Sequence, residues 1–212
     1  MSDQQCSRLS WADPVGQAQQ VFRLALTALS RPAQAHVFVP CPADTAADEL
    51  PAGLSPELAA LALALCDNET TVWLAPGLDT EDVRAWFRFH CGTVLVAEPA
   101  RAAFAFVPGV EALPDLSCFH QGEAEYPDRS TTICLGGVEE RETATITASG
   151  PGIVGNCDFS CRMPAGFLAQ WQRNHEQFPL GVDMLLCGPD RLTGLPRTTC
   201  LTPAADEVSK CM

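Results

Sequence analysis

Strand-like and helix-like segments alternate through the first half of the chain, and this alternation restricts the fold more than any other feature of the sequence. A first helix begins at Asp13-Pro14, ends at Arg31-Pro32 and carries an apolar face at helical spacing, formed by Phe22, Ala25, Leu26 and Leu29. Two more helices are predicted from residues 55 and 79, and short strands at 36–39, 70–74, 93–96 and 102–107. Such alternation indicates a sheet covered by helices.

The second half changes character. Thr-rich strands at 131–135 and 143–148, with a polar connection between them, predict a hairpin. Pro164 begins a last helix, and strands at 182–186 and 192–195 follow. The predicted fold class is α/β, a mixed β-sheet flanked by helices on both faces. We expect residues 1–212 to form a single domain, with a flexible tail from about residue 200.

Composition narrows the possible functions. The apolar fraction of 47% and the charged fraction of 18% are sufficient for a large core. The formal net charge of −13 argues against binding to nucleic acid or to an anionic membrane. The longest apolar run, residues 58–66, is too short to span a bilayer. The N-terminal residues lack the features of a signal peptide, so we expect a cytoplasmic protein whose eleven cysteines are reduced, with Cys66 and Cys187 in the core.

No catalytic residue or cofactor site can be assigned from the sequence. Pyridoxal phosphate needs a lysine amine for its Schiff base, and the one lysine, Lys210, lies in a polar segment near the C-terminus. The Gly-x-Ser-x-Gly pattern is absent, and Ser117 and Ser130, although near His120, are more simply turn residues. We therefore expect no cofactor and no nucleophile that acts alone.

Metal binding has weak support. The closest cysteine pair is Cys157-x-x-x-Cys161, and Pro164 stands where a radical iron–sulfur motif would need a third cysteine. His90-Cys91 and Cys118-x-His120 could meet around zinc, but their spacing is atypical of a structural site. Packed or exposed thiols are the simpler interpretation, and no metal ligand is assigned.

Two segments are candidates for contact with an anion or a partner. Glycines in the loop 150–155 would let backbone amides approach a phosphate, although the loop lacks the Walker and dinucleotide-binding spacings and is more simply a tight turn. Arg197 stands beside two hydroxyls, and its alternative role is a strand-end arginine held by local hydrogen bonds. The candidate contact residues are Arg197, Thr198, Thr199, Gly150 and Gly152.

Several motifs spread over most of the chain resemble one family when they are taken together. They are Phe22-Arg23 with Ser30-Arg31-Pro32, Leu63-Ala64-Leu65-Cys66-Asp67-Asn68-Glu69-Thr70, Phe89-His90-Cys91-Gly92, Gly122 with Tyr126-Pro127-Asp128-Arg129-Ser130, Ser149-Gly150-Pro151-Gly152-Ile153, Trp171 with Phe178-Pro179-Leu180-Gly181-Val182-Asp183-Met184-Leu185-Leu186, and Leu195-Pro196-Arg197-Thr198-Thr199. The combination resembles the PhnH family, whose members form one component of the bacterial carbon–phosphorus lyase core complex. Two departures are Ala33, where the family has glycine after Arg-Pro, and an acidic, cysteine-containing tail.

The resemblance implies a fold similar to the large domain of aminotransferase-type pyridoxal enzymes, without the cofactor site. It implies a homodimer when the protein is isolated, and assembly with subunits G, I and J. With subunits G and I, and L, the family is required to displace adenine from ATP by methylphosphonate, which forms ribose 1-methylphosphonate 5-triphosphate. The implied role is structural or allosteric, since the reactive groups would belong to the partners.

Two alternatives stay open at this point. One is a stand-alone transferase that binds a phosphorylated substrate at residues 150–155 and Arg197. The other is a metal-binding module that uses His90, Cys91, Cys118 and His120. A subunit that buries large surfaces also needs aromatic and arginine anchors, and the candidates are Phe87, Phe89, Phe104, Phe106, Trp171 and Arg197.

Overall fold

A computed structural model describes residues 13–40, 50–138 and 145–204. In these ranges the helices are α1 (Pro14–Ser30), α2 (Pro56–Leu65), α3 (Glu81–His90) and α4 (Phe167–Glu176). The strands are β1 (Ala35–Val37), β2 (Thr71–Leu74), β3 (Val94–Leu95), β4 (Phe104–Val107), β5 (Thr132–Leu135), β6 (Thr145–Ser149), β7 (Cys157–Ser160), β8 (Asp183–Cys187), β9 (Arg191–Leu195) and β10 (Cys200–Pro203).

The strands form two sheets. The larger has seven strands in the order β1-β9-β8-β5-β4-β2-β3, in which β3, β2, β4, β5 and β8 are parallel and β9 is antiparallel to both of its neighbours. The smaller is antiparallel, in the order β10-β6-β7. The predicted mixed α/β sheet is therefore confirmed.

The predicted hairpin between the two Thr-rich strands is wrong. β5 pairs with β4 on one side and β8 on the other, so it has no free edge for β6. β6 instead pairs with β7 and β10 in the small sheet. Ile133, Cys134 and Leu135 of β5 are fully buried, so both faces of this strand are covered, as in the interior of a parallel sheet.

Helices cover both faces of the large sheet, as predicted. α1, α2 and α3 pack on one face, where Trp86 and Phe87 of α3 join a cluster that includes Phe106. α4 lies on the opposite face, where Phe167 and Trp171 pack in a cluster with strand residues of both sheets. The core thus has two layers separated by the large sheet.

Local capping explains where two of the helices begin. The Asp13 carboxylate accepts a hydrogen bond from the Gly16 amide at 3.0 Å, and Pro14 occupies the first turn of α1. The Thr80 hydroxyl accepts from the Val83 amide at 3.3 Å and caps α3. Each cap satisfies an amide that the helix leaves unpaired, a contribution of about 1 kcal/mol.

The apolar face predicted for α1 is wrong at two positions. Val21, Ala25 and Ala28 face the sheet, whereas Phe22 and Leu26 are 45% and 53% exposed. The reason is the close approach of helix and strand at Gly194, where an added Cβ would lie 2.4 Å from the Ala28 carbonyl. Small residues permit this contact, and the larger apolar side chains remain outside.

Strand β10 places residues 200–203 in the small sheet rather than in the tail predicted from about residue 200, and residues 205–212 lie outside the described ranges. Cys66 and Cys187 are buried, as predicted, and all eight described cysteines are free thiols. Among the described helices, none is long and apolar enough to cross a membrane.

Candidate functional site

Arg197 forms a forked ion pair with Asp183. Arg197 follows β9 and Asp183 opens β8, so the two residues meet where β8 begins. The Arg197 backbone amide and Nε donate to Asp183 Oδ1 at 2.7 and 3.1 Å, and Nη2 donates to Oδ2 at 2.5 Å. The side chains are only 11% and 19% exposed, so water screens this pair little.

The other guanidinium hydrogens of Arg197 also have acceptors within the chain. Nη1 donates to the carbonyls of Pro127 and Pro179 at 2.8 and 3.3 Å, and Nη2 donates to the Ser130 hydroxyl. A guanidinium has five N–H donors, and all five are used. We call Arg197, Asp183, Ser130 and the two proline carbonyls the Arg197 junction. An external anion could bind Arg197 only by displacing one of these internal hydrogen bonds. The alternative predicted from the sequence, an arginine at a strand end held by local hydrogen bonds, therefore fits the geometry.

The segment around Thr199 also makes internal contacts. Thr199 is fully buried, and its carbonyl accepts a hydrogen bond from Trp171 Nε1 at 2.8 Å. This bond ties the segment before β10 to α4. His175 Nδ1 lies 3.0 Å from the Arg197 carbonyl and strengthens the same connection.

The loop at 150–155 is a packed turn. Gly150 and Gly152 have φ values of 130° and 85°, a region that favours glycine. A Cβ on Gly150 would lie 2.8 Å from the Thr198 carbonyl, and one on Gly152 would lie 2.5 Å from the Ser30 carbonyl. The structure therefore brings Gly150 and Thr198 together, as two candidate residues of one region, but through backbone packing. The simpler interpretation of the loop, a tight turn, accounts for both glycines.

The four proposed metal ligands do not converge. His90 and Cys91 end α3 on one face of the large sheet, and the His90 ring lies 4.8 Å from that of Trp86. Phe119, between Cys118 and His120, is buried in the core of the opposite face. A single ion cannot be shared across the sheet. In the described ranges, no group of three or more His, Cys, Asp or Glu side chains could hold a metal ion.

The hydroxyls near His120 serve local structure. The Ser117 hydroxyl donates to Asp115 Oδ1 at 2.6 Å, and Ser130 belongs to the Arg197 junction. His120 Nδ1 accepts from the Gly122 amide at 3.2 Å. These contacts agree with their interpretation as turn residues.

Burial keeps the core thiols protonated. It raises the pKa of Cys91 and that of Cys161 to about 12. It also raises the pKa of the Cys66, Cys134 and Cys187 thiols. Since the thiolate is the nucleophilic form, these cysteines are inert core residues at neutral pH.

Two exposed aromatic side chains border the Arg197 junction, and the sequence interpretation did not select them. Tyr126 is 45% and Phe178 60% exposed, and each directly precedes a proline whose carbonyl Arg197 Nη1 binds. The Arg129 guanidinium carbon lies 4.0 Å from the centroid of the Tyr126 ring. The Tyr-Pro and Phe-Pro pairs, inside motifs already singled out, were the available signal.

The aromatic anchors predicted from the sequence are mostly core residues. Phe87, Phe106 and Trp171 are buried, and Phe104 packs partly buried against the same core as Phe87. Phe89 is exposed and remains available for contact.

A cleft of about 290 Å³ lies beside the carboxyl end of β8, between β9 and β7. Apolar side chains, including Leu186 and Phe159, line it together with Ser160 and Thr193. Asp190 and Arg191, whose charged atoms are 3.7 Å apart, complete the lining. The cleft is near the lower size limit of small-molecule sites, and its hydroxyls could orient a small polar ligand.

Comparison with known proteins gives two similarities. Residues 9–202 match the family model described as bacterial phosphonate metabolism protein (PhnH). A protein of Rhizobium meliloti (strain 1021), alpha-D-ribose 1-methylphosphonate 5-triphosphate synthase subunit PhnH, is 36% identical over 192 residues, which cover 90% of this chain and 92% of that protein.

Proposed function

The chain belongs to the PhnH family of bacterial phosphonate metabolism proteins, and on that basis we propose that it works as one subunit of ribose 1-methylphosphonate 5-triphosphate synthase. In this role it acts with subunits G and I, and L, when methylphosphonate displaces adenine from ATP. Its contribution is structural or allosteric, and the partners supply the reactive groups.

The closed Arg197 junction is the observation that carries this role. The sequence makes Arg197 a candidate for binding a phosphorylated substrate. In the structure, every N–H donor of its guanidinium is hydrogen-bonded to an acceptor of the same chain. Arginine in this state connects segments and holds loops; it does not bind a substrate. A stand-alone transferase that relies on Arg197 would need this network to open.

Subunits G, I and J are the proposed partners, and a homodimer is proposed for the isolated protein. The outer face of α1 supports self-association, because Val15, Phe22 and Leu26 are exposed there and Arg23 is the one charged residue of the helix. The free thiols support a cytoplasmic location, where cysteines stay reduced.

We also propose the fold relationship to the large domain of aminotransferase-type pyridoxal enzymes. A mixed seven-stranded sheet with helices on both faces supports it. The described residues contain no lysine that could hold the cofactor, since Lys210 lies beyond them. No step of the reaction is therefore assigned to pyridoxal phosphate on this chain.

Adenine release tests the proposed function directly. The purified chain is incubated with ATP and methylphosphonate, alone and together with its partner subunits, and free adenine is measured. We expect release only with the partners present, and loss of release when this chain is left out of the mixture. Turnover by the chain alone would contradict a subunit-only role.

A further inference from the structure

Two loops meet at the Arg197 junction, one that contains Pro127 and one that contains Pro179. Their exposed side chains are needed neither for the fold nor for the hydrogen bonds of the junction. The surface that they form consists of Tyr126, Arg129 and Phe178, with the exposed carboxylates of Glu123, Glu125, Asp128 and Glu176 around them. We call it the Tyr126–Phe178 surface. We propose that it docks a basic segment of another subunit of the synthase, an inference that rests on the proposed function.

Both loops are fixed before any partner arrives. Arg197 Nη1 binds a carbonyl of each loop, and the Gly181 amide donates to the Gln121 carbonyl at 2.8 Å, which joins the loops directly. Within the first loop, the backbones of Glu123 and Tyr126 exchange two hydrogen bonds of 3.2 and 2.9 Å. Loops held in this way lose little backbone freedom on binding, which favours affinity.

The exposed side chains are of the types that anchor interfaces. Tyrosine and arginine are enriched among the residues that carry most of the binding free energy. The Arg129 guanidinium stacks on the Tyr126 ring and restrains it, while Phe178 is 60% exposed without a function in the core. Tyr126 and Phe178 lie on two loops that Arg197 joins, and a partner that covers both side chains removes their apolar area from water.

Charge selects the kind of partner. Glu123, Glu125 and Asp128 are exposed around Tyr126, and Glu176 is exposed just before Phe178. Arg129 is the single cation among the residues of the surface. In a chain of net charge −13, two copies that met through this surface would bring like charges together. A basic segment of a different subunit is attracted to the same carboxylates, and we therefore assign the surface to a heterologous partner.

Binding of the immobilised chain to purified partner subunits tests this assignment. The double variant Tyr126→Ala/Phe178→Ala removes both aromatic anchors, and we expect its affinity for the subunit that docks there to fall at least roughly 30-fold. The matched control is Val37→Ala/Val154→Ala, which removes two exposed apolar side chains elsewhere and should bind like the wild type. Urea unfolding should show at most a small loss of stability, because all four side chains are at least 45% exposed.

A second variant keeps the aromatic surface and changes its charge. Glu123→Gln/Glu125→Gln should slow association roughly tenfold at low salt and should weaken the dependence of the rate on salt concentration. This variant keeps the proposal testable if the aromatic double variant fails to fold.

The outcomes separate this inference from the proposed function. If the wild-type chain binds none of the other subunits, the proposed function fails. If the wild type binds and both variants bind equally well, the docking surface is overturned and the proposed function stands. It is also overturned if the variants lose only self-association, because the surface would then join two copies of this chain.

Discussion

The two ends of the parallel strands differ in what they carry. In open α/β sheets, ligands usually bind at the carboxyl ends of the strands. Here the described loops at the carboxyl ends of β4, β5 and β8 pack backbone to backbone: a Cβ on Gly137 would lie 3.0 Å from the Pro108 carbonyl, and one on Gly188 would lie 2.6 Å from the Val138 carbonyl. The amino ends of β5 and β8 instead hold the largely solvent-shielded hydrogen-bond network of Arg197.

The polar side chains of the Arg197 junction thus lie at the amino ends of the strands, opposite the end at which α/β sheets usually bind ligands. Among the described residues, glycine and proline loops pack closely at the end that α/β enzymes use for substrates, and the cleft lies beside β8. The opposite end is rigid, and the Tyr126–Phe178 surface borders it. A division of this kind suits a subunit that presents a fixed surface to others.

Arg197→Ala should disrupt the hydrogen-bond network at the amino ends of β5 and β8 and have the largest effect on stability. The substitution leaves the Asp183 carboxylate, whose side chain is only 19% exposed, without its cation, and it releases two loops at once. We expect the free energy of unfolding to fall by roughly 3 to 5 kcal/mol, measured by urea denaturation. The control is Arg84→Ala, which removes an ion pair with side chains 32% and 46% exposed and should cost at most about 1 kcal/mol. Equal costs for the two variants would show that the junction is not a special support.

Gly188→Ala tests how tightly the carboxyl end is filled. The added methyl would meet the Val138 carbonyl, a backbone atom that cannot rotate away. We expect a loss of roughly 1 to 3 kcal/mol in urea unfolding. Gly109→Ala is the matched change at the same end, because that residue is extended and its Cβ would meet only the Glu111 side chain at 3.4 Å. A Gly188→Ala variant as stable as the Gly109→Ala variant would mean that this end has room for a ligand.

The thiol of Cys161, in the lining of the cleft, gives the smallest expected effect. Burial raises its pKa from an ordinary value near 9 to about 12, so the unfolded chain loses this proton first as the pH rises. Its contribution to stability is complete below pH 9 and is lost as the pH rises toward 12. Between pH 7 and about pH 9.5 the wild type should lose ~0.8 kcal/mol more than Cys161→Ser, as measured by urea unfolding. Identical pH profiles would show that water reaches the thiol through the cleft.

Features set by neighbouring residues could be predicted from the sequence. Asp13-Pro14 and Thr80 place the starts of α1 and α3 because a cap needs only the next three residues. The alternation of apolar segments was enough to predict the mixed α/β sheet. The prediction of the apolar face of α1 is wrong at two positions because that face is set by the contact between Gly194 and the Ala28 backbone. These two residues are more than 160 positions apart in the chain. The predicted pairing of β6 with β5 is wrong because β6 belongs to a second sheet, which no local sequence pattern indicates.

In the candidate site, too, local features could be predicted from the sequence and features set by distant contacts could not. Arg197 could be selected from its neighbourhood, but its acceptors come from residues 127, 130, 179 and 183, and a sequence motif does not reveal whether a guanidinium is satisfied internally. Tyr126 and Phe178 stand in two of the motifs that carry the family resemblance, yet their exposure depends on loops that only the tertiary structure defines.

The outermost strands of the large sheet restrict how molecules of this protein can associate. β1 spans three residues and β3 two, so each side of the sheet offers few unpaired backbone groups. Chains that meet along such short borders cannot zip together strand by strand into a continuous ribbon. Contacts along these two borders of the large sheet must therefore be made mainly by side chains, and single substitutions there are enough to dissect them.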